Sequence, residues 1–184
     1  MSLTRKNIRL PLNNYSGKRL YFVTICCQDR QTLLRDGTTV SRMLAILRDL
    51  SSRHEFAVHA YCFMPDHLHL LCEGLSHGSR LLHFVSRFKQ HTGFEHRRKL
   101  GASPWQFKFY DHILRRADAM EDVAWYIWMN PVRTGLCNNP KDFPFSGSLA
   151  VPWEERQPSA GHWTPPWQNR KTGDAGLKPG ATHA

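Results

Sequence analysis

The segment 56–73, FAVHAYCFMPDHLHLLCE, constrains the fold more than any other part of the sequence. It is apolar along nearly its whole length and rich in aromatic and aliphatic residues, as buried strands are. The dipeptide Pro65-Asp66 interrupts it once, and such a pair favours a turn. The sequence therefore predicts two antiparallel strands joined as a hairpin, which needs further strands and covering helices to be stable.

Strand-like and helical patterns alternate on either side of this hairpin. The predicted elements are a strand at 18–29, helices at 38–56, 79–94 and 118–131, and an irregular basic and aromatic segment at 95–116. Strands and helices in this order are typical of an α+β sandwich. The sequence thus predicts a ferredoxin-like (RRM-like) fold, an antiparallel sheet with its helices on one face.

Residue 151 marks a change in composition. Residues 1–150 hold all the predicted elements and form one predicted domain, whereas 151–184 are rich in Pro, Gly and Trp and lack periodicity. We expect this C-terminal tail to be flexible or loosely docked. No window approaches the ~18 continuous apolar residues of a membrane span, and the basic N-terminus lacks the apolar run of a signal peptide. These features predict a soluble cytoplasmic protein with no membrane partner.

A surplus of positive charge indicates the class of partner. The chain carries 25 Lys and Arg against 15 Asp and Glu, a net charge of +10. Such a surplus on a small domain favours a polyanion such as nucleic acid.

Aromatic residues stand between two basic clusters in the second half of the chain, a composition that suits unpaired bases. These aromatic residues are Phe94, Trp105, Phe107 and Phe109. The candidate DNA-binding residues are Arg87, Lys89, Arg97, Arg98, Lys99, Trp105, Lys108, Arg115 and Arg116. A solvated basic surface over core aromatics is the alternative interpretation.

Two histidines interrupt the apolar strand predicted at 67–73. Side chains on a strand alternate between faces, so His67, His69 and Leu71 share one face. On a helix the same spacing would point the two imidazoles apart. As a strand, the segment could hold one metal ion between them. The alternative is a pair of half-exposed histidines on an edge strand.

The helix predicted at 118–131 offers a further ligand and a nucleophile. Tyr126 and Asn130 are four residues apart and therefore lie on the same flank of that helix. An amide oxygen added to two imidazoles gives a mixed set that suits Mg²⁺ or Mn²⁺ with phosphate oxygens. A tyrosine held beside such a phosphate could attack it and form a covalent phosphotyrosine. Alternatively, Tyr126 is an aromatic at the core edge and Asn130 a helix-terminal residue before Pro131.

Four sequence boxes occur together and in order. They are 64-MPDHLHLL-71, 105-WQFKFYDHILR-115, 126-YIWMNPVRTGL-136 and 142-DFPFS-146. Together they resemble the HUH-type single-tyrosine transposases of single-stranded DNA, and most of all the REP-associated tyrosine transposases. The resemblance extends from about residue 18 to about residue 148.

This resemblance implies an activity and a set of roles. His67, His69 and Asn130 would bind a divalent metal, Mg²⁺ or Mn²⁺, and Tyr126 would be the catalytic nucleophile. The enzyme would cleave and rejoin single-stranded DNA beside palindromic hairpins through a 5′-phosphotyrosine. Its partner would be hairpin DNA of the REP (repetitive extragenic palindrome) type, and it would act as a monomer or homodimer in the bacterial cytoplasm, associated with the nucleoid.

Other functions remain open from the sequence. One is a domesticated protein that binds hairpin DNA without cutting it, and another is a metal-dependent RNA-processing enzyme. A second tyrosine, Tyr110, also lies within one of the boxes. We favour Tyr126 as the nucleophile because a residue able to bind metal follows it one helical turn later.

Overall fold

A five-stranded antiparallel sheet forms the centre of the computed structural model, which describes residues 12–115, 119–152, 155 and 163–165. The strands are β1 (Leu20–Cys26), β2 (Phe56–Met64), β3 (His67–Gly74), β4 (Tyr110–Ile113) and β5 (Ser146–Gly147). Their order across the sheet is β4-β1-β3-β2-β5. The predicted hairpin is confirmed as β2 and β3, with Pro65 and Asp66 between them.

Four α-helices accompany the sheet in the described part of the chain. They are α1 (Gly37–Arg53), α2 (Leu81–Leu100), α3 (Met120–Trp128) and α4 (Asn130–Arg133). The helix α1 begins where it does because the Asp36 carboxylate accepts hydrogen bonds from the backbone N–H groups of Thr38 and Thr39. The element order β1-α1-β2-β3-α2-β4 is that of the ferredoxin-like arrangement. The predicted α+β class is confirmed.

Both faces of the sheet are buried, each by different helices. On one face α1 and α2 pack over alternate strand residues such as Val23 and Leu70. On the opposite face α3 packs over Phe22 and Leu71. The prediction that the helices share one face therefore holds for α1 and α2, whereas α3 occupies the other face. The physical reason is that the strands carry large apolar side chains in both directions, so each face needs a cover.

The segment predicted to be irregular contains regular structure. The helix α2 continues through the basic run to Leu100 and ends at Gly101, whose φ of +72° suits glycine. Further on, 110–113 form the edge strand β4, whose four residues are all half-buried. Because neither face of β4 is fully exposed or fully buried, its sequence shows no polar–apolar alternation to predict it.

The predicted C-terminal tail, 151–184, is described only at 151, 152, 155 and 163–165. The chain just before it is attached to the sheet, because the Leu149 N–H donates to the carbonyl of Val58 at 2.9 Å. The predicted tail conformation otherwise lies outside the described residues. Among the helices that are described, none is long and apolar enough to cross a membrane.

Candidate active site

The imidazoles of His67 and His69 converge on one point. Both residues lie on β3 and project toward the face that α3 covers, where His69 contacts Phe22 with ring centres 5.3 Å apart. Their Nε2 atoms are 3.0 Å from each other. The strand alternation predicted from the sequence thus places together two nitrogen atoms of a kind that can bind metal.

Each histidine is oriented by a hydrogen bond at its other ring nitrogen. Nδ1 of His67 lies 2.5 Å from a carboxylate oxygen of Asp66, and Nδ1 of His69 lies 2.8 Å from the hydroxyl of Thr24. An ionised carboxylate only accepts, so Nδ1 of His67 carries the hydrogen and its Nε2 is a bare lone pair. The Thr24 hydroxyl can donate or accept, so His69 can adopt either tautomer. This is how metal-binding histidines are oriented by neighbouring groups in other proteins.

The two Nε2 atoms fit a divalent ion. In the tautomer of His69 that leaves Nε2 bare, the two nitrogens, 3.0 Å apart, repel each other unless a cation lies between them. Ligands about 2.1 Å from one ion and at right angles around it are roughly 3 Å apart, as octahedral Mg²⁺ requires. Within the described part of the chain, no group of three or more His, Cys, Asp or Glu could hold a metal. Further ligands there would therefore come from another residue type or from substrate.

Burial favours the neutral, metal-binding form of His69. The side chain is only 7% exposed. Burial holds the pKa of His69 well below its usual value, and the neighbouring His67, Arg133 and Arg30 lower it further. His69 is therefore neutral at physiological pH, the state in which imidazole binds metal.

Asp66 connects the histidines to an arginine. Its second carboxylate oxygen accepts from Nη1 of Arg30 at 3.2 Å. Burial alone would raise the pKa of Asp66, but its hydrogen bond and charge interaction with His67, together with Arg30, outweigh that effect and lower the pKa. Asp29 and Arg30 both have positive φ, 50° and 56°, a conformation that costs non-glycine residues on the order of 1 kcal/mol or more. This strained turn brings Arg30 to Asp66.

Tyr126 lies on the same side of the sheet as the histidines. Its ring centre is 6.2 Å from that of Phe22, the residue that also contacts His69. Phe22 is fully buried. Phe22 therefore forms the buried surface between the tyrosine on α3 and the histidine pair on β3.

Asn130 follows Tyr126 by one turn, at the start of α4. Its Nδ2 donates to the backbone carbonyls of Tyr126 and Ile127, at 3.0 and 3.1 Å. The hydrogen bonds of this side chain therefore go to the end of α3 rather than to either histidine. With the amide nitrogen donating, the amide oxygen is the atom that could bind a metal.

Arg133 is a component of the site that sequence reasoning missed. Its guanidinium carbon lies 4.2 Å from the centre of the Tyr126 ring, and its Nη2 donates to the Tyr126 carbonyl at 2.7 Å. The sequence did indicate this contact, because Arg133 follows Tyr126 by seven residues, or about two helical turns. Asp66, Thr24 and Arg30 were also missed, since their roles depend on a register and a turn that the sequence alone does not reveal.

Trp163, from the predicted tail, packs on the same aromatic group. Its ring centre is 5.1 Å from that of Tyr126 and 5.3 Å from that of Phe22. It also lies 6.4 Å from the ring of His112 on β4. A substrate that reaches Tyr126 must therefore share this space with Trp163.

Tyr110, on β4, also contacts Phe22. It begins β4, pairs in register with Thr24, and its ring centre lies 6.5 Å from that of Phe22. The structure thus brings both tyrosines close to Phe22, but Tyr126 is the one covered by the guanidinium of Arg133.

Two of the nine residues predicted to bind DNA make contacts within the fold. Trp105 is only 2% exposed, and its Nε1 donates to the Thr92 hydroxyl at 2.8 Å, so its ring cannot stack on a base. Nζ of Lys89 donates to the carbonyls of Gln106 and Phe107, both at 2.7 Å, and thereby ties a loop to α2. The prediction for Trp105 is corrected to a structural role, whereas that for Lys89, whose side chain is half-buried, stays a prediction.

The other predicted DNA-binding residues lie mostly on the surface. The exposed members are Arg87, Arg97, Arg98, Lys108 and Arg115. Of these, Arg87 donates to His83 and Gln90, and Arg97 donates to the carbonyl of Gln90. The side chain of Lys99 and the whole of Arg116 lie outside the described residues.

Comparison with known proteins defines the class to which this fold and site belong. The family described as "Transposase IS200 like" matches residues 17–127, which include β1 to β4, both histidines and Tyr126. The chain therefore belongs to the IS200-like transposase family.

Within that family, the chain is most like the REP-associated tyrosine transposases. A REP-associated tyrosine transposase of Escherichia coli is 30% identical over 129 residues, covering 68% of this chain and 74% of that protein. A relative from Haemophilus influenzae, named for the same group, is 29% identical over 139 residues and covers 69% of this chain and 78% of that protein.

A solved structure has the same fold. It is a REP-associated tyrosine transposase bound to a REP hairpin, with a TM-score of 0.61 and 22% sequence identity. The superposition covers 79% of this chain and 82% of that one. At this identity the likeness concerns the fold, and it agrees with the antiparallel sheet and helices described above.

Proposed function

We propose that this protein is a metal-dependent transposase and endonuclease of single-stranded DNA, which cleaves and rejoins DNA beside palindromic hairpins. The observation that carries the proposal is the convergence of two imidazole Nε2 atoms, 3.0 Å apart, on the sheet face that also bears Tyr126. Membership of the transposase family supports it. The solved relative bound to a REP hairpin supports hairpin DNA as the partner.

The metal ligands in this proposal are His67, His69 and the amide oxygen of Asn130. Two neutral imidazoles and an amide oxygen suit Mg²⁺ or Mn²⁺ better than a thiolate site would. When bound, the ion would polarise the phosphate and offset its negative charge. Asp66 and Thr24 hold the imidazoles in orientation before the ion arrives.

Tyr126 is the proposed nucleophile. Its phenol oxygen would form a bond to phosphorus while the bond from phosphorus to the 3′ oxygen breaks. The phenol proton is transferred overall to that oxygen, which leaves a 3′-hydroxyl and a 5′-phosphotyrosine. Attack by a 3′-hydroxyl on the phosphotyrosine reverses these steps and rejoins DNA without an external energy source.

Arg133 would assist this step from beside the ring. Its guanidinium is fixed by the Tyr126 carbonyl and lies against the ring face. A positive charge at this position stabilises the phenolate that develops on Tyr126 and the phosphate that it attacks. Because the charge is already in place, it requires no rearrangement during the reaction.

A covalent adduct tests the proposal. Labelled single strands that contain a hairpin and a flanking segment are incubated with the protein and Mg²⁺ or Mn²⁺, then separated on a denaturing gel. We expect an adduct with the wild type, none with Tyr126→Phe, and undiminished hairpin binding in both. Tyr110→Phe is the matched control and should retain the adduct.

Two results would overturn parts of the proposal. An adduct that persists in Tyr126→Phe and disappears in Tyr110→Phe would move the nucleophile to β4. Hairpin binding without any adduct, across many hairpins and both metals, would identify a protein that binds DNA without cutting it.

A further inference from the structure

One aromatic side chain is exposed to an extent that the fold does not explain. Phe107 lies in the loop between α2 and β4 and is 93% exposed, more than any other large apolar residue in the described chain. A phenylalanine in water gains nothing from folding, since its apolar surface stays hydrated. Burial on folding therefore does not account for its position.

The loop that carries Phe107 is held firmly on the α2 side. Nζ of Lys89 donates to the carbonyl of Gln106 and to that of Phe107 itself, both at 2.7 Å. Two residues earlier in the loop, Trp105 is buried and donates to Thr92. The backbone of Phe107 is thus held by its hydrogen bond from Lys89 and by the nearby buried side chain of Trp105.

The same loop is also held against the sheet near the histidines. The Gln106 N–H donates to the carbonyl of Cys26 at 3.0 Å, and the Gln28 N–H donates to the carbonyl of Pro104 at 2.7 Å. Cys26 is the register partner of His67 on the neighbouring strand. Gln106 therefore lies about two strand spacings, roughly 10 Å, from His67. Phe107 follows it at the same end of the sheet as the proposed metal ligands.

The charge around Phe107 indicates what would cover it. Lys108 follows it and is exposed, and the ammonium of Lys89 lies beneath its backbone. The chain as a whole carries a net charge of +10. An exposed aromatic ring next to Lys108, in a basic chain, fits a nucleobase with its phosphates better than it fits an apolar protein surface. Because the loop is already ordered, binding there costs little conformational entropy.

We propose that Phe107 is the platform on which an unpaired base stacks, in the single-stranded segment that flanks the cleaved phosphodiester. The proposal rests on the proposed function of the site and adds a specific contact to it. Of the aromatic residues that the sequence suggested for contact with unpaired bases, Trp105 is buried and Phe107 is exposed. The ring would hold the flank in place while the hairpin is bound elsewhere on the protein.

The test compares two DNA probes and three variants of the full chain. One probe is a DNA hairpin with a single-stranded flank that carries 2-aminopurine at one flank position at a time, and the other is the same hairpin without a flank. Phe107→Leu keeps apolar bulk but removes the aromatic ring, and Phe107→Tyr keeps the ring. Leu75→Ala, which truncates an exposed side chain at the opposite end of β3, is the control.

We expect Phe107→Leu to bind the flanked hairpin about 5-fold to about 100-fold more weakly than the wild type, the loss expected for one stacked base. It should bind the hairpin without a flank as the wild type does, and 2-aminopurine quenching should disappear at one flank position. Phe107→Tyr should restore both affinity and quenching, and Leu75→Ala should change neither. The urea midpoint of each Phe107 variant should stay at the wild-type value, because the ring is exposed.

The result that overturns the proposal is equal binding of the flanked hairpin by Phe107→Leu and wild type. An equal loss on both probes would also overturn it, because the residue would then serve the stem or the fold. A protein partner at this position would tolerate Leu and show no dependence on the flank. Binding and quenching can be measured without cleavage. Absence of the Tyr126 adduct would therefore contradict the proposed function, whereas the stacking proposal would still be tested by its own measurements.

Discussion

Arg133 covers the ring of Tyr126 and holds the backbone of the same residue. Its guanidinium carbon is 4.2 Å from the ring centre, while its Nη2 donates to the Tyr126 carbonyl at 2.7 Å. Because Arg133 contacts both the ring and the backbone carbonyl of Tyr126, the position of its guanidinium relative to the phenol is fixed. His69 also senses this cation, since Arg133 is among the charges that lower its pKa. Arg133 thus lies where the tyrosine and the histidine pair meet.

Replacing Arg133 should slow the chemistry more than the binding. We expect Arg133→Gln to reduce the rate of covalent adduct formation about 100-fold, as loss of one preorganised charge at a reacting phosphate does. Arg133→Lys should recover only part of the rate, because an ammonium cannot keep both contacts. Single-turnover adduct formation measures this, with hairpin affinity determined in parallel.

The control for this prediction is Arg48→Gln, which removes an exposed cation from α1 on the opposite face of the sheet. An Arg133→Gln protein that forms adduct at the wild-type rate would contradict the role given to the guanidinium.

Asp66 should influence metal affinity through His67. In Asp66→Asn the carboxylate that holds Nδ1 becomes a neutral amide, so His67 loses both orientation and basicity. We expect Mn²⁺ to bind about 10- to 100-fold more weakly, as measured by isothermal titration calorimetry. Asp49→Asn, which removes a carboxylate from a surface ion pair with Arg53, should leave Mn²⁺ binding as it is. Equal affinities in the wild type and Asp66→Asn would contradict the role given to Asp66.

Trp105 should be required for stability rather than for DNA contact. Trp105→Ala removes a buried ring and its hydrogen bond to Thr92, and should lower the free energy of unfolding by about 3–5 kcal/mol. Phe107→Ala, two residues away, should change it by less than about 0.5 kcal/mol, because that ring is exposed. Urea denaturation of the two variants measures the contrast. A stable Trp105→Ala protein with weakened DNA binding would restore the prediction made from the sequence.

His54 should make the folded state sensitive to acid. Burial lowers the pKa of His54, and His83, Arg87, Arg53 and His91 lower it further. Below the usual imidazole pKa of about 6.5, the unfolded chain therefore binds a proton that the folded chain resists. The free energy of unfolding should fall as the pH drops below about 6.5, and it should fall less steeply in His54→Gln.

Urea denaturation between pH 5 and pH 7 measures this slope. His77→Gln, which replaces an exposed histidine in a loop, serves as the comparison. Parallel pH profiles for the wild type and His54→Gln would remove His54 as the cause.

The parts of the site that could be predicted from the sequence are those that depend on local periodicity. Strand alternation alone placed His67 and His69 on one face, and helical spacing alone placed Tyr126 one turn before Asn130. The order of the strand and helix patterns also predicted the α+β class. Each of these inferences uses residues that are close together in the chain, so no knowledge of tertiary contacts was needed.

The parts that could not be predicted depend on which distant segments meet. Thr24 reaches His69 only because β1 and β3 pair in one particular register. Trp105 and Phe107 are both aromatic residues in one basic loop, and only the docking of that loop on α2 and β1 decides which is buried. Trp163 reaches Tyr126 from far along the chain. Periodicity contains no information about such contacts.

The helix α3 restricts the path that a nucleic acid can take. In RRM domains, which share this sheet architecture, RNA lies flat across an open face and its bases stack on strand aromatics. Here that face is covered, because α3 packs over Phe22 and Leu71, which are both buried. In the proposed function, DNA would therefore reach Tyr126 from the rim of the sheet, past the ends of β1 and β3, rather than across its surface. Such a route would favour a short, flexible, unpaired stretch of DNA over a rigid duplex.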